Sequence, residues 1–108
     1  MSNQTVPLAD SMETDRYKAA FVFVTPDIAA RWLARNEKNR SITPKTVERY
    51  KRDMEGGDWK FTGETFKFAA DGTLLDGQHR LTAIVQSGCT VLALVVRGLD
   101  NPSQEVMD

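Results

Sequence analysis

The sequence predicts an α+β domain: a small mixed sheet with helices packed around it. Three observations predict it. Short β-type runs, Phe21-Val22-Phe23-Val24, Glu64-Thr65-Phe66-Lys67-Phe68 and Thr90 to Arg97, are separated by segments of helical period. Thr25-Pro26 and Thr43-Pro44 each place a capping residue before a proline at the first helical position. Asp76-Gly77 is a glycine turn between Leu74-Leu75 and a third helical pattern that stops at Gly88.

Taken in order, residues 1–17 are polar and acidic without periodicity and predict a flexible tail, so a single domain spans residues 18–108. The first strand follows over Lys18 to Val24. Ile28, Ala29, Trp32 and Leu33 then recur on one face, which predicts a helix over 26–36 with Trp32 as a core anchor. After a loop at Asn39-Arg40-Ser41, Val47, Tyr50 and Met54 define a second amphipathic helix over 44–55, ended by Gly56-Gly57. Lys60 to Thr62 reads as a short strand. Glu64 to Phe68 alternates polar and aromatic, which turns Phe66 and Phe68 inward; Asp71-Gly72 is a hairpin turn that lets Thr73-Leu74-Leu75 pair back. Leu81, Ile84 and Val85 share one face of the third helix, with Asp76 as its N-cap. Val91 to Val96 is continuously apolar and suits a strand buried on both faces, with a right-handed crossover from the preceding strand and helix. Pro102 opens a last helical pattern through Asp108.

Composition narrows the class. Hydrophobic residues make up 41% and charged residues 27%, the balance of an ordinary globular domain. No apolar run reaches ~18 residues and no basic start precedes an apolar core, so no membrane span or signal peptide is expected and a cytoplasmic location follows. One cysteine, Cys89, and one histidine exclude an internal disulfide and a Cys/His zinc site, and Cys89 is expected to be buried or half-buried. The net charge of −1 excludes a uniformly basic nucleic-acid binder, but the charge is uneven: −2 over residues 1–30, +4 over 31–60 and −3 over 61–108. In the basic middle, Lys45, Arg49 and Arg52 fall on one face of the second helix, which suits either a phosphate backbone or a solvated surface.

The chemistry concentrates at Asp76-Gly77-Gln78-His79-Arg80. A helix N-terminus exposes unpaired N–H groups at the positive end of its dipole, and so attracts anions. Gly77 lets a phosphate approach the backbone, Arg80 supplies a charged fork, and Gln78, His79 and Thr82 add polar groups. The same residues also make an ordinary turn followed by a solvated arginine.

This box, after a strand and before a helix ending in Ser87-Gly88, resembles the ParB/sulfiredoxin superfamily, most of all the ParB-like nuclease-type domains with a D-G-Q-H-R box from phages and mobile elements. The resemblance spans Thr25 to Gly98 and is most specific over Glu64 to Gly98. In ParB the matching box reads G-E-R-R-x-R-A; Gly77, Arg80 and Ala83 match it, while Gln78, His79 and Thr82 depart from it. The similarity implies a ParB N-terminal domain/sulfiredoxin-like fold and a nucleoside triphosphate, CTP or ATP, bound with Mg²⁺. Asp76, Gly77, Gln78, His79, Arg80 and Thr82 would then hold the nucleotide, with Asp76 capping the helix or touching the metal. Gly57-Asp58-Trp59 resembles the family's G-x-W segment. Sulfiredoxins carry a catalytic cysteine where this chain has Gln78, which has no thiolate, so reductase activity is rejected.

Several functions stay open at this point. One is a regulatory or accessory nucleotide-binding protein in DNA-related processes of a phage or mobile element. Another is a DNA-binding or nuclease module using helices 26–36 and 44–55, with Glu64, Asp71 and Asp76 as clustered carboxylates. A third is a small-molecule phosphotransferase in which Glu64 or Asp76 acts as the base. The partners in view are a nucleotide, DNA, a protein partner or a homodimer.

Overall fold

The computed structural model describes residues 14–36, 41–59 and 65–101. Over these the chain runs β1 (Lys18–Val24), α1 (Pro26–Leu33), α2 (Pro44–Glu55), β2 (Thr65–Ala69), β3 (Leu74–Asp76), α3 (Gln78–Ser87) and β4 (Val91–Leu99). The expectation of a small mixed sheet with helices packed on it is met. The four strands lie in the order β1-β4-β2-β3. β4 is antiparallel to β1 and parallel to β2, and β3 turns back antiparallel on β2.

Local signals account for the helices. Thr25 caps α1, its hydroxyl accepting the Ile28 N–H at 3.2 Å, with Pro26 following. Replacing Thr25 with alanine is expected to lower stability by about 1 kcal/mol, the usual worth of such a cap, measured by urea denaturation. α1 stops at Leu33 rather than near Asn36, because the chain turns through Ala34 and Arg35 so that the Arg35 carbonyl can accept the Leu74 N–H of β3 at 3.1 Å. α2 keeps its expected bounds and buries Val47 and Met54; Tyr50 is half-buried and meets Trp59 edge-on at 5.5 Å. The turn at Asp71-Gly72 is tightened by Asp71 Oδ1, which accepts the Thr73 N–H at 3.0 Å.

The core forms where the helices meet one face of the sheet. Phe66 and Phe68 point inward, as the alternation predicts, and Trp32 meets their ring edges at 5.9 and 5.0 Å. The Arg97 guanidinium lies 4.7 Å from the Phe68 ring centre and 5.5 Å from that of Trp32, closing one end of this aromatic group. Leu81, Ala83 and Ile84 of α3 are fully buried.

Several expectations are corrected. Val85 is 40% exposed: α3 packs between α1 and α2, so its buried arc is shifted toward Ala83, whose small side chain allows close approach. β4 is not buried on both faces; Val91, Ala93 and Val95 are buried while Leu92, Leu94 and Val96 are half-buried, because the helices among the described residues cover one face. No crossover joins β3 to β4 as parallel neighbours. The parallel pair is β2 and β4, with β3 and α3 both inside the connection. Asp76 is not the N-cap of α3; it ends β3, and Gly77 takes the cap position. Within the expected tail, residues 14–17 lie against the sheet through Arg16, which donates from Nε to the Gly98 carbonyl at 2.6 Å and pairs with Asp100. Residues 1–13, the loop at Asn39-Arg40, Lys60 to Thr62, Glu64 and the segment from Pro102 lie outside the described residues.

Candidate anion-binding site

The turn from β3 into α3 is built around a close contact. Gly77 has φ +117°, which L side chains rarely adopt, and a Cβ there would sit 2.2 Å from Cδ1 of Phe66. Glycine is therefore required at this point by the core itself, before any ligand is considered. α3 starts directly after it, and Gly77 has no side chain with which to cap the first turn. The first N–H groups of a helix have no acceptor within the helix, so an uncapped start leaves its donors and its positive dipole end available to an anion.

Arg80 returns toward this turn. Its side chain is only 12% exposed, and its guanidinium lies 5.1 Å from the Phe66 ring centre. Nη2 donates a long bond of 3.4 Å to the Thr65 carbonyl and stands 3.8 Å from Asp76 Oδ1. Nη1 is buried and has no hydrogen-bond partner. Asp76 is half exposed and is shared with Lys67, whose Nζ lies 3.9 Å from Oδ2. An ion pair at this distance and exposure contributes little, so Arg80 is a nearly buried cation with weak compensation.

A cleft of about 120 Å³ opens beside these groups. β3 and the first turn of α3 form one wall, with Asp76, Gly77, Gln78, His79 and Arg80; Asn36 after α1 and Thr46 and Tyr50 of α2 form the other. Five of the six residues expected at the site therefore line one cleft. The sixth, Thr82, is outside the lining; its hydroxyl donates to the Gln78 carbonyl at 2.8 Å, one turn back along α3. His79 is partly committed as well. Its Nε2 accepts the Thr43 N–H at 3.0 Å, which ties the start of α2 to the start of α3. An accepting nitrogen carries no proton, so the ring proton sits on Nδ1, the atom left to serve a ligand. Thr43, expected as a side-chain cap, makes no such bond.

Asn36, Thr46 and Tyr50 were not expected at the site. The signal that could have found Thr46 and Tyr50 is their i, i+4 spacing beside the buried stripe of α2, which places both at the edge of its core-facing side. Lys45, Arg49 and Arg52 are all exposed on α2, outside the cleft lining, and the Arg49 guanidinium lies 5.3 Å from the Tyr50 ring centre. Among the described residues no group of three His, Cys, Asp or Glu side chains is placed to hold a metal ion. Asp71 serves the hairpin and Asp76 faces two cations, while Glu64, the third carboxylate of the expected cluster, is outside the described residues. No helix among the described residues is long and apolar enough to cross a membrane.

Fold and site together define a small α+β domain with a cleft at the start of α3 lined by one arginine and one aspartate. No family model, curated protein or solved structure matches the chain.

Proposed function

We propose that this protein binds the phosphate group of a nucleotide in the cleft at the start of α3, as a ParB-like regulatory or accessory domain of the cytoplasm. The observation that carries the proposal is Arg80: a guanidinium nearly withdrawn from solvent, one nitrogen of which is buried without a partner among the described residues, on a side chain that lines the cleft at the start of α3. Buried polar groups in folded proteins are almost always bonded, so an orphaned donor at such a place calls for an acceptor. A phosphate oxygen there would accept from the Arg80 guanidinium and from first-turn N–H groups of α3, and would supply the charge that Asp76 supplies only weakly. His79 would orient the ligand from Nδ1 while Nε2 holds the two helix starts in register.

The volume narrows the ligand. Sites that enclose a whole small molecule run to about 300–1,000 Å³. A cleft of about 120 Å³ holds a phosphate group and leaves the sugar and base outside it. A magnesium ion would find Asp76 as its carboxylate and would have to displace Lys67 and Arg80 from it, so its other ligands would be phosphate oxygens and water.

Thermal unfolding tests the proposal. Inorganic phosphate or pyrophosphate at about ten times its Kd is expected to stabilise by about 1.4 kcal/mol, which for a domain of this size raises Tm by about 5 °C or more. Chloride at equal ionic strength should give no such shift. Equal shifts with both salts would contradict a site for phosphate.

A further inference from the structure

The cleft takes a phosphate group and leaves the rest of its ligand outside, so the surface flanking it decides how the ligand continues. α2 supplies part of one wall through Thr46 and Tyr50. Its outward side, opposite the buried Val47 and Met54, carries Lys45, Arg49 and Arg52. At 100° per residue these three exposed side chains fall within one narrow arc, about 6 Å and about 4.5 Å apart along the helix axis. None of the three is in an ion pair among the described residues. The Arg49 guanidinium lies 5.3 Å from the Tyr50 ring centre, which carries the basic line up to the cleft wall. The acids of α2 stand off this path. Glu48 and Glu55 fall on the flank away from Tyr50, and Asp53, on the Tyr50 side, is a turn further along.

We propose that the cleft receives the phosphorylated end of a single strand of nucleic acid, and that the next phosphates of the strand lie along Lys45, Arg49 and Arg52; this rests on the reading of the cleft as a phosphate site. A terminal phosphate monoester projects from its strand and can enter a recess of about 120 Å³, whereas an internal phosphodiester carries a sugar on each side. A free nucleotide would leave the three cations unmatched. A lipid surface would need apolar side chains beside the basic ones, and the apolar side of α2 is committed to the core through Val47 and Met54. A single line of cations beside a narrow recess instead follows one phosphate backbone, attracting it through charge without reading its sequence.

Titration of the full chain with a thymidine tetranucleotide bearing a 5′ or a 3′ phosphate, with the same oligomer lacking it, and with inorganic phosphate tests this. One phosphorylated oligomer is expected to bind at least about tenfold tighter than the unphosphorylated oligomer and than inorganic phosphate. Lys45→Ala/Arg49→Ala/Arg52→Ala, which changes exposed positions alone, should weaken that oligomer at least about tenfold and lower the slope of log K against log salt by about 2. It should leave inorganic phosphate within about threefold of wild type, because the three residues lie outside the cleft lining. Arg80→Ala should weaken inorganic phosphate and the phosphorylated oligomer together. Inorganic phosphate reads the cleft alone, so its failure to bind would remove the phosphate reading and the strand with it. Phosphate binding with no gain from either attached strand overturns the strand alone. Wild-type affinity of the triple variant for the phosphorylated oligomer, or polyglutamate of equal charge binding as tightly as that oligomer, overturns it as well.

Discussion

Gly77→Ala is expected to destabilise the protein by about 3–5 kcal/mol, a large fraction of the about 5–15 kcal/mol that holds a domain folded. Two penalties add. Alanine at φ +117° leaves the allowed regions of backbone space, at about 1–2 kcal/mol or more. Its Cβ would also lie 2.2 Å from Cδ1 and 2.7 Å from Cε1 of Phe66, a fully buried ring held by Trp32 on one side and approached by Arg80 on another. Overpacking of that kind costs about 1–3 kcal/mol or more, since neither neighbour can retreat without moving the core. Urea denaturation of the two proteins measures the effect. A partner variant separates the terms: Gly77→Ala/Phe66→Leu should recover part of the packing loss relative to Gly77→Ala and none of the backbone strain. A Gly77→Ala protein within about 1 kcal/mol of wild type would show that this turn does not hold the conformation described.

Arg80→Ala is expected to weaken phosphate binding at least a hundredfold while leaving the fold intact. Hydrogen bonds to a charged group are worth about 1.5–3 kcal/mol each, so losing a guanidinium that donates to a phosphate removes about 3 kcal/mol or more, and each 1.4 kcal/mol is tenfold in Kd. Stability should respond in the opposite proportion. Arg80 makes one long hydrogen bond, one loose ion pair and a ring contact, and it strands a buried donor, so its removal is expected to change unfolding free energy by no more than about 1 kcal/mol. Arg80→Lys should restore charge but not the fork, and recover only part of the affinity. The contrast with Gly77→Ala, where stability falls first, separates a residue kept for binding from one kept for structure.

Sequence and structure agree where the deciding interactions are local. Thr25-Pro26, the Phe66/Phe68 alternation, the Asp71-Gly72 turn and the glycine at the end of α3 each depend on residues within a turn of one another, and each was legible. The expectations that changed turn on distant partners. β4 reads as buried on both faces because Val91 to Val96 is uniformly apolar, and the placement of the described helices on one side leaves its other face half-buried. Asp76 looks like a cap from its neighbours, yet strand pairing with Lys67, nine residues earlier, places it in the sheet. At the site, the wall formed by β3 and α3 was legible as a contiguous box. The opposite wall was not, because Asn36, Thr46 and Tyr50 reach the cleft through the packing of α1 and α2 on α3 and the Thr43–His79 bond. The orphaned nitrogen of Arg80 has no sequence signature at all.

Isothermal titration of the wild type and Arg80→Ala with inorganic phosphate, CTP, ATP, GTP and ADP, with and without magnesium, tests the cleft most directly. The expected result is saturable binding of phosphate-bearing ligands by the wild type, lost in Arg80→Ala at unchanged circular dichroism. Absence of binding to every one of these ligands by the folded wild type, or equal affinity in the two proteins, would contradict the assignment of this cleft to a phosphate group.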